Sequence, residues 1–260
     1  MISAPLLKVV AALQNRSLWG TLGWADIKFR YRRTVLGPFW LTISTGMMVF
    51  AIGLLYAVLL NKDMSTYIPS LAIGMIIWMF FSTSLTEGCS VFIVASGIIK
   101  AYTISLSTHV FRLLWRNIII FLHNVLIIVV VWIIFRWSLS PLALLSVLGF
   151  AMLLVFIFGL VMLFGVLCTR FRDIPLIIAA VLQLFFFLTP IMWSPDDLGP
   201  YRWVVELNPL FSLIEIVRAP LMNHIPDLKE WLIATGCTTL SLFCGLAFYA
   251  RYQHRVAYWL

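Results

Sequence analysis

Glu87 is the one acid inside the long apolar runs of this chain, set in the stretch FFSTSLTEGCS. An ionisable group placed in lipid is costly, so it marks either a proton relay or a structural ion pair. Both readings are open, because Arg112 and Arg116 lie at the start of the next apolar run, within reach of it. His123, beside Asn124, falls within that next run. It either faces a polar pathway or is satisfied by a neighbouring helix. Asp196 and Asp197 have the residue types of general acid–base work, but they follow Ser194 and Pro195. Ser as N-cap, Pro in the first turn and acids near the positive helix end make capping the better reading. Arg30, Arg32 and Arg33 crowd in front of Gly37 and Pro38 in FRYRRTVLGPFW, just before an apolar run.

Other chemistry is missing from the pattern. There is no G-x-x-x-x-G-K-[ST], so the chain is not expected to bind and hydrolyse ATP in the P-loop manner. Neither G-x-S-x-G nor H-E-x-x-H occurs, and no Cys/His cluster has metal spacing. The metal expectation is none. Cys89, Cys168, Cys237 and Cys244 are scattered. Cys237 and Cys244 are seven apart on one expected helix, about 10 Å of rise, too far for a disulfide. They read as small apolar residues of spans.

The elements that carry these residues follow from composition. The chain is 63% hydrophobic and 11% charged, with a mean hydropathy of +1.04. Soluble domains carry roughly 25% charged residues, so this chain cannot cover a water-facing surface and the bilayer is its expected solvent. No signal peptide is expected, since the first 35 residues carry repeated cations and lack an apolar core. Six spans are predicted at about 38–60, 69–94, 116–135, 142–167, 175–193 and 231–250, each near the roughly 20 residues that cross hydrocarbon.

Residues 5 to 35 are less apolar. Leu6, Val10 and Leu13, then Leu18, Leu22, Ala25 and Phe29, recur at helical spacing opposite Lys8, Gln14, Arg16, Lys28 and Arg32. Asp26 and Arg30 can pair at i, i+4. This is an amphipathic helix along the membrane surface, broken near residues 15–17. Pro38 suits the first turn of a new helix, so Leu36-Gly37-Pro38 is the corner between the surface helix and the first span.

Placing the N-terminus in the cytoplasm puts 13 of the 18 Lys and Arg inside, with Lys62, Arg136, Arg202, Arg218 and Lys229 outside. By the positive-inside rule both termini are cytoplasmic. The net charge of +8 is then topology and not a sign of a nucleic-acid partner. The whole chain, 1–260, reads as one transmembrane domain. Residues 1–37 form the interface helix, 38–250 the six-span bundle and 251–260 a cytoplasmic tail. The outer loop 194–230 is too apolar to be free. In NPLFSLIEIVRAPL, Asn208 caps, Pro209 opens and Pro220 stops a helix too short to span, so a re-entrant or interfacial hairpin is expected there.

The aromatics Trp40, Trp78, Phe185, Phe186 and Phe187 fit interfacial belts and packing. A subset could also offer flat faces to sugar rings.

Four stretches resemble the membrane subunits of ABC-type polysaccharide exporters, the type-2 permeases for O-antigens, capsules and teichoic acids. They are DIKFRYRRTVLGPFW, GMIIWMFFSTSLTEGCSVF, FRDIPLIIAAVLQLFFFLTPIMW and LNPLFSLIEIVRAPL, in the family's order, and the resemblance covers nearly all of residues 20 to 250. It implies an all-α integral membrane fold in the bacterial inner membrane, with six transmembrane helices. An N-terminal interface helix and periplasmic gate helices between spans 5 and 6 complete it. It implies a homodimer, and two copies of a separate ATPase subunit that bind ATP and Mg, this chain holding no cofactor and being no enzyme. Arg30, Arg32, Arg33, Gly37 and Pro38 become the elbow that passes ATPase movement to span 1. Ile99, Lys100, Ala101 and Tyr102 become the coupling helix, and Arg170, Arg172 and Asp173 a second contact. Trp40, Trp78 and Phe185–Phe187 become channel aromatics. Asn208, Pro209, Glu215 and Arg218 become the gate. After Lys100 the chain departs, with AYTISLSTH where many relatives carry a K-x-x-F-P type run.

The expected cargo is an O-antigen on undecaprenyl pyrophosphate, moved from cytoplasm to periplasm. A same-fold permease for drugs or small lipids is the alternative. A membrane-embedded glycan polymerase or acyltransferase would need converging polar groups, and beyond Glu87 and His123 the spans offer almost none.

Overall fold

The computed structural model describes residues 3–32, 34–37, 39–206 and 208–260. Its order is α1 (Ser3–Gln14), α2 (Arg16–Tyr31), α3 (Phe39–Leu59), α4 (Met64–Cys89), α5 (Val91–Val94), α6 (Ser96–Ala101), α7 (Leu106–Phe135), α8 (Leu145–Arg170), α9 (Ile174–Leu188), α10 (Trp203–Glu206), α11 (Pro209–Leu221) and α12 (Leu228–Trp259). Short 3-10 turns occupy Pro141–Leu144 and Pro195–Tyr201. No strand occurs among the described residues.

Among the described residues five helices are long and apolar enough to cross a membrane: α3, α4, α7, α12 and the helical stretch Pro141–Arg170. The sixth expected span is shorter than predicted. α9 has 15 residues, a rise of about 22 Å, against roughly 30 Å of hydrocarbon. It ends at Leu188 because Pro190 follows, and residues 189–193 continue without helix. α7 starts ten residues earlier than predicted, so His109, Arg112 and Arg116 lie on its first turns. α4 is shifted towards the N-terminus of its predicted range, from Met64 to Cys89. Residues 251–259, expected as a tail, continue α12.

α4 is the buried centre of the bundle. Ile68 to Phe81 is buried almost continuously, and α3, α7, α8 and α9 pack around it. Phe80, Phe121 and Phe150 meet with ring centroids 4.6 to 5.2 Å apart. The most extensive helix pairing is α8 with α12. A Cβ on Gly245 would sit 2.2 Å from the Gly159 carbonyl oxygen. Only hydrogens at this crossing let the backbones meet, which is how small residues drive association where lipid offers no hydrophobic contrast. Gly149 admits the Ile216 carbonyl of α11 in the same way, with a Cβ there only 2.5 Å from it.

The surface helix breaks at Asn15, as predicted, and α2 then docks on α7. A Cβ on Gly23 would be 3.0 Å from both the Arg112 carbonyl and the Trp115 ring. Trp19 meets Trp115 edge-on at 5.7 Å. The corner after α2 is present: Gly37 adopts φ +55°, the left-handed region open to glycine. Arg33 and Pro38, the other predicted corner residues, lie outside the described residues.

Candidate functional site: a cleft above an ionic junction

The cytoplasm-facing ends, in the predicted orientation, of α2, α4 and α7 meet in a cluster of charges. Glu87 accepts from Arg30 Nη2 at 2.7 Å and from Arg116 Nη2 at 2.5 Å. Asp26 is held by Arg112 through Nε at 2.7 Å and through Nη2, and Arg116 Nη1 lies 3.6 Å away. Arg116 is therefore shared by both acids. Asn117 extends the cluster inward by donating to Ser84 Oγ at 3.2 Å.

This corrects the helical Asp26–Arg30 pair: both residues turn to other helices, because fork geometry on Arg112 offers Asp26 two bonds at once. Of the two partners expected for Glu87, the structure selects Arg116 and adds Arg30. The ion-pair reading of Glu87 thus has its geometry.

Directly above, α3, α4 and α9 enclose a cleft of about 600 Å³. Its floor is Glu87, and along α4 it is lined by Met75, Trp78, Met79, Ser82, Thr83 and Thr86. Met75 to Glu87 spans about 18 Å of helix, more than half of the roughly 30 Å hydrocarbon thickness. Met48 closes it from α3, and Gln183, Phe186 and Phe187 from α9. Trp78 lies 5.7 Å from Phe186, and Phe186 lies 5.4 Å from Phe187, all centroid distances.

Three of the five predicted channel aromatics therefore converge. Phe185, half-buried, packs on the core, and Trp40 is exposed on the first turn of α3, outside the cleft lining. The hydroxyls, the methionines and Gln183 were missed. Their signal was the i, i+3, i+4, i+7 stripe from Met75 to Thr86, and the single amide of α9.

The predicted coupling residues lie at one end of the bundle. Ile99 is packed on the core, while Lys100 and Ala101 end α6 exposed and Tyr102 follows it exposed. Arg170, Arg172 and Asp173 form the exposed α8–α9 turn. The Arg170 guanidinium rests over Phe171 at 5.3 Å and over Trp259 of α12 at 5.5 Å. Of the elbow, Arg30 joins the ionic cluster, while Arg32 is exposed at the end of α2.

At the opposite end α11 is buried against α8, α12 and α4. Asn208 accepts from the Leu210 N–H at 3.0 Å and donates to Thr189 Oγ1 at 2.9 Å, with Pro209 opening the helix. Arg218 is buried, donates to Glu215 at 2.5 Å and to the Pro190 carbonyl at 2.9 Å. Pro220 does not itself stop α11, which runs one residue further. The stop is Asn223, with φ +64°, and the His224 N–H closes back on the Ala219 carbonyl at 2.9 Å.

Asp196 and Asp197 have structural partners. Asp196 pairs with Arg202 at 2.9 Å, and Asp197 takes the Ser194 N–H at 2.8 Å and Lys62 at 2.6 Å. Burial pushes the Asp197 carboxyl up, but the Lys62 ammonium and the Ser194 N–H outweigh it and hold the pKa below the ordinary value. His123 Nδ1 lies 2.7 Å from the Ile119 carbonyl of its own helix, and its ring meets Phe39 of α3 edge-on at 5.5 Å. No group of metal-ligating residues occurs among the described residues.

A profile of the family described as "ABC-2 type transporter" matches residues 17–222. The chain is 24% identical over 237 residues to a Klebsiella pneumoniae protein named O-antigen export system permease protein RfbA, covering 89% of this chain and 90% of that protein. It is 22% identical over 263 residues to a Myxococcus xanthus protein of the same name, covering 97% and 99%.

Proposed function

Since this chain belongs to the ABC-2 type transporter family, we propose that it is the membrane subunit of an ATP-driven exporter of lipid-linked polysaccharide. The cargo is an O-antigen on undecaprenyl pyrophosphate, moved from the cytoplasm to the periplasm across a bacterial inner membrane. Relatives named for O-antigen export align with nearly its whole length.

The observation that carries the reading is the cleft. Its aromatic faces, methionines and small hydroxyls suit a chain of sugar rings that must slide. Stacking on aromatic planes holds apolar sugar faces without fixed hydrogen bonds, and Ser82, Thr83, Thr86 and Gln183 offer exchangeable ones. The cleft is open on one side, and a second copy of the chain closes it in a homodimer. α9 crosses as the sixth span together with the segment that follows it, which leaves both termini cytoplasmic.

The chain carries no P-loop, so ATP and Mg are bound by two copies of a separate ATPase subunit. That subunit docks against the interface helix, α6 with Ile99 to Tyr102, and the Arg170–Asp173 turn. Its movement reaches the cleft through Arg30, which is bonded to the acid on the cleft floor. Cations of the interface helix and elbow attract the pyrophosphate. α11 and the segment before it, anchored by Asn208, Pro209, Glu215 and Arg218, form the periplasmic gate.

The test is reconstitution of the chain with its co-purified ATPase in vesicles loaded with lipid-linked glycan. ATP-dependent delivery of glycan to the far side, lost when this chain is omitted, supports the reading. Glycan transfer that persists in membranes lacking this chain, or a chain that purifies without any P-loop ATPase, sinks it.

A further inference from the structure

A second cavity, about 260 Å³, lies between the interface helix and the bundle. Asp26 and Arg30 of α2, Glu87 of α4, and His109, Arg112 and Arg116 of α7 face it. The ion pairs described above account for the acids and engage only part of the guanidinium donors. They leave His109 unexplained. It is 1% exposed, and neither Nδ1 nor Nε2 has a hydrogen-bond partner among the described residues. Buried polar side chains are almost always bonded, and one that is not points to a water, an ion or a ligand.

The charges select the class. Three guanidiniums face two carboxylates, a surplus of one positive charge. Arg112 spends Nε and Nη2 on Asp26, so its Nη1 hydrogens remain for another acceptor. A neutral imidazole adds one donor and one acceptor. Guanidinium and imidazole donors together suit phosphate oxygens.

The rest of the lining selects the source. Val91, Val94 and Ile98 also line the cavity, with Val94 largely exposed. A cavity lined by both ionic and apolar groups fits an amphiphile better than a free ion. Trp24 and Phe29 of α2, the helix that supplies Asp26 and Arg30, are exposed, as expected of a helix lying in the headgroup zone. Basic pockets between helices at this level hold anionic headgroups.

We propose that this cavity binds the headgroup phosphate of an anionic membrane phospholipid, with His109 and Arg112 as its anchors. The bound lipid fastens the interface helix to the bundle beside the Arg30–Glu87 contact. The inference rests on the membrane placement proposed above. It does not require that the cargo be a polysaccharide.

The experiment uses the full chain, delipidated in neutral detergent. It is titrated separately with dioctanoylphosphatidylglycerol, dioctanoylphosphatidylcholine and inorganic phosphate, and bound lipid is counted by native mass spectrometry. The expected result is one saturable phosphatidylglycerol site per chain, at least tenfold tighter than phosphatidylcholine. His109→Phe should weaken it at least tenfold without lowering the lipid-free unfolding midpoint, because the ring gives up no protein partner. Equal affinity for the two lipids, or unchanged binding in His109→Phe, overturns the proposal. Inorganic phosphate binding as tightly as phosphatidylglycerol overturns the lipid source. If His109→Phe does not fold, His109→Gln decides, and unchanged affinity there also overturns it. Export is read by the vesicle assay, so failure of this site and failure of the exporter reading stay separate.

Discussion

At the α8–α12 crossing Gly159 and Gly245 bring two backbones into contact, with no space for a single added carbon. At the α2–α4–α7 junction the helices are joined instead by side-chain tips, Asp26 and Glu87 sharing Arg30, Arg112 and Arg116. The first contact has one geometry: a shift of an ångström either opens a void or drives atoms together. The second has several. Arg116 already divides itself between two acids, and a long side chain can exchange one for the other while the helix axes move. The contrast separates a frame from a joint. α8, α11 and α12, joined by close backbone contact, form the frame, and α2 with the near ends of α4 and α7, joined by ion pairs, forms the joint.

The frame should break most severely. Gly245→Val inserts carbons where 2.2 Å is available to the first of them, and should cost about 3 kcal/mol or more by overpacking. Thermal unfolding in detergent and yield of folded chain check this, and a variant as stable as the parent would refute the frame.

The joint should give a different signature. Arg116→Leu leaves Glu87 and Asp26 each short of a partner in a mostly buried place, worth about 3 kcal/mol by analogy with broken buried pairs. Glu87→Gln keeps the shape and one acceptor but removes the charge that holds Arg30 and Arg116. It should lower stability by about 1 kcal/mol yet reduce ATP-dependent transport about tenfold. Parallel measurement of unfolding and transport tests the distinction. Equal fractional losses in both would make Glu87 part of the frame.

The smallest effect lies outside the bundle, at Lys62–Asp197. Because the Asp197 pKa is lowered in the folded chain, its contribution is present above the ordinary carboxylate range and is lost as pH falls through the folded value. Asp197→Asn should therefore be less stable than the parent by roughly 0.5 kcal/mol at neutral pH, and the two should converge in acid. Unfolding midpoints from neutral pH down to the acid range measure it. A difference that stays constant in acid would assign the effect to something other than this charge.

Much of this division was legible in the residues. The apolar runs, the break at Asn15, the corner at Gly37 and the Asn208–Pro209 start all follow from local rules, because each depends on a few neighbours along the chain. The end of α9 was harder to place. Its apolar run continues through Ile191 and Met192, and hydropathy cannot register that Pro190 withholds a donor and Thr189 turns to Asn208. The α11 stop was misplaced by the same habit, since Pro220 is tolerated in a last turn and Asn223 is the residue that turns left.

The cleft was half legible: Trp78, Phe186 and Phe187 stood out as aromatics, while the hydroxyl stripe of α4 was missed, because spacing alone does not say which face of a helix meets a cleft. The ionic junction was the least legible part. From spacing alone Asp26 pairs with Arg30, four residues on. In the fold Arg30 is drawn to an acid 57 residues distant and Asp26 to an arginine 86 residues distant.

By itself the sequence determined the solvent, the helical class and the expected direction of the chain across the membrane. These are set by composition and by periodicities of a few residues, and a bilayer leaves a helix few other ways to satisfy its backbone. Only the tertiary structure decided which charges meet, which aromatics share a cleft, and that His109 is buried with no partner among the described residues. Those outcomes depend on distances between segments far apart in the chain, and the packing of glycine-lined backbones sets those distances.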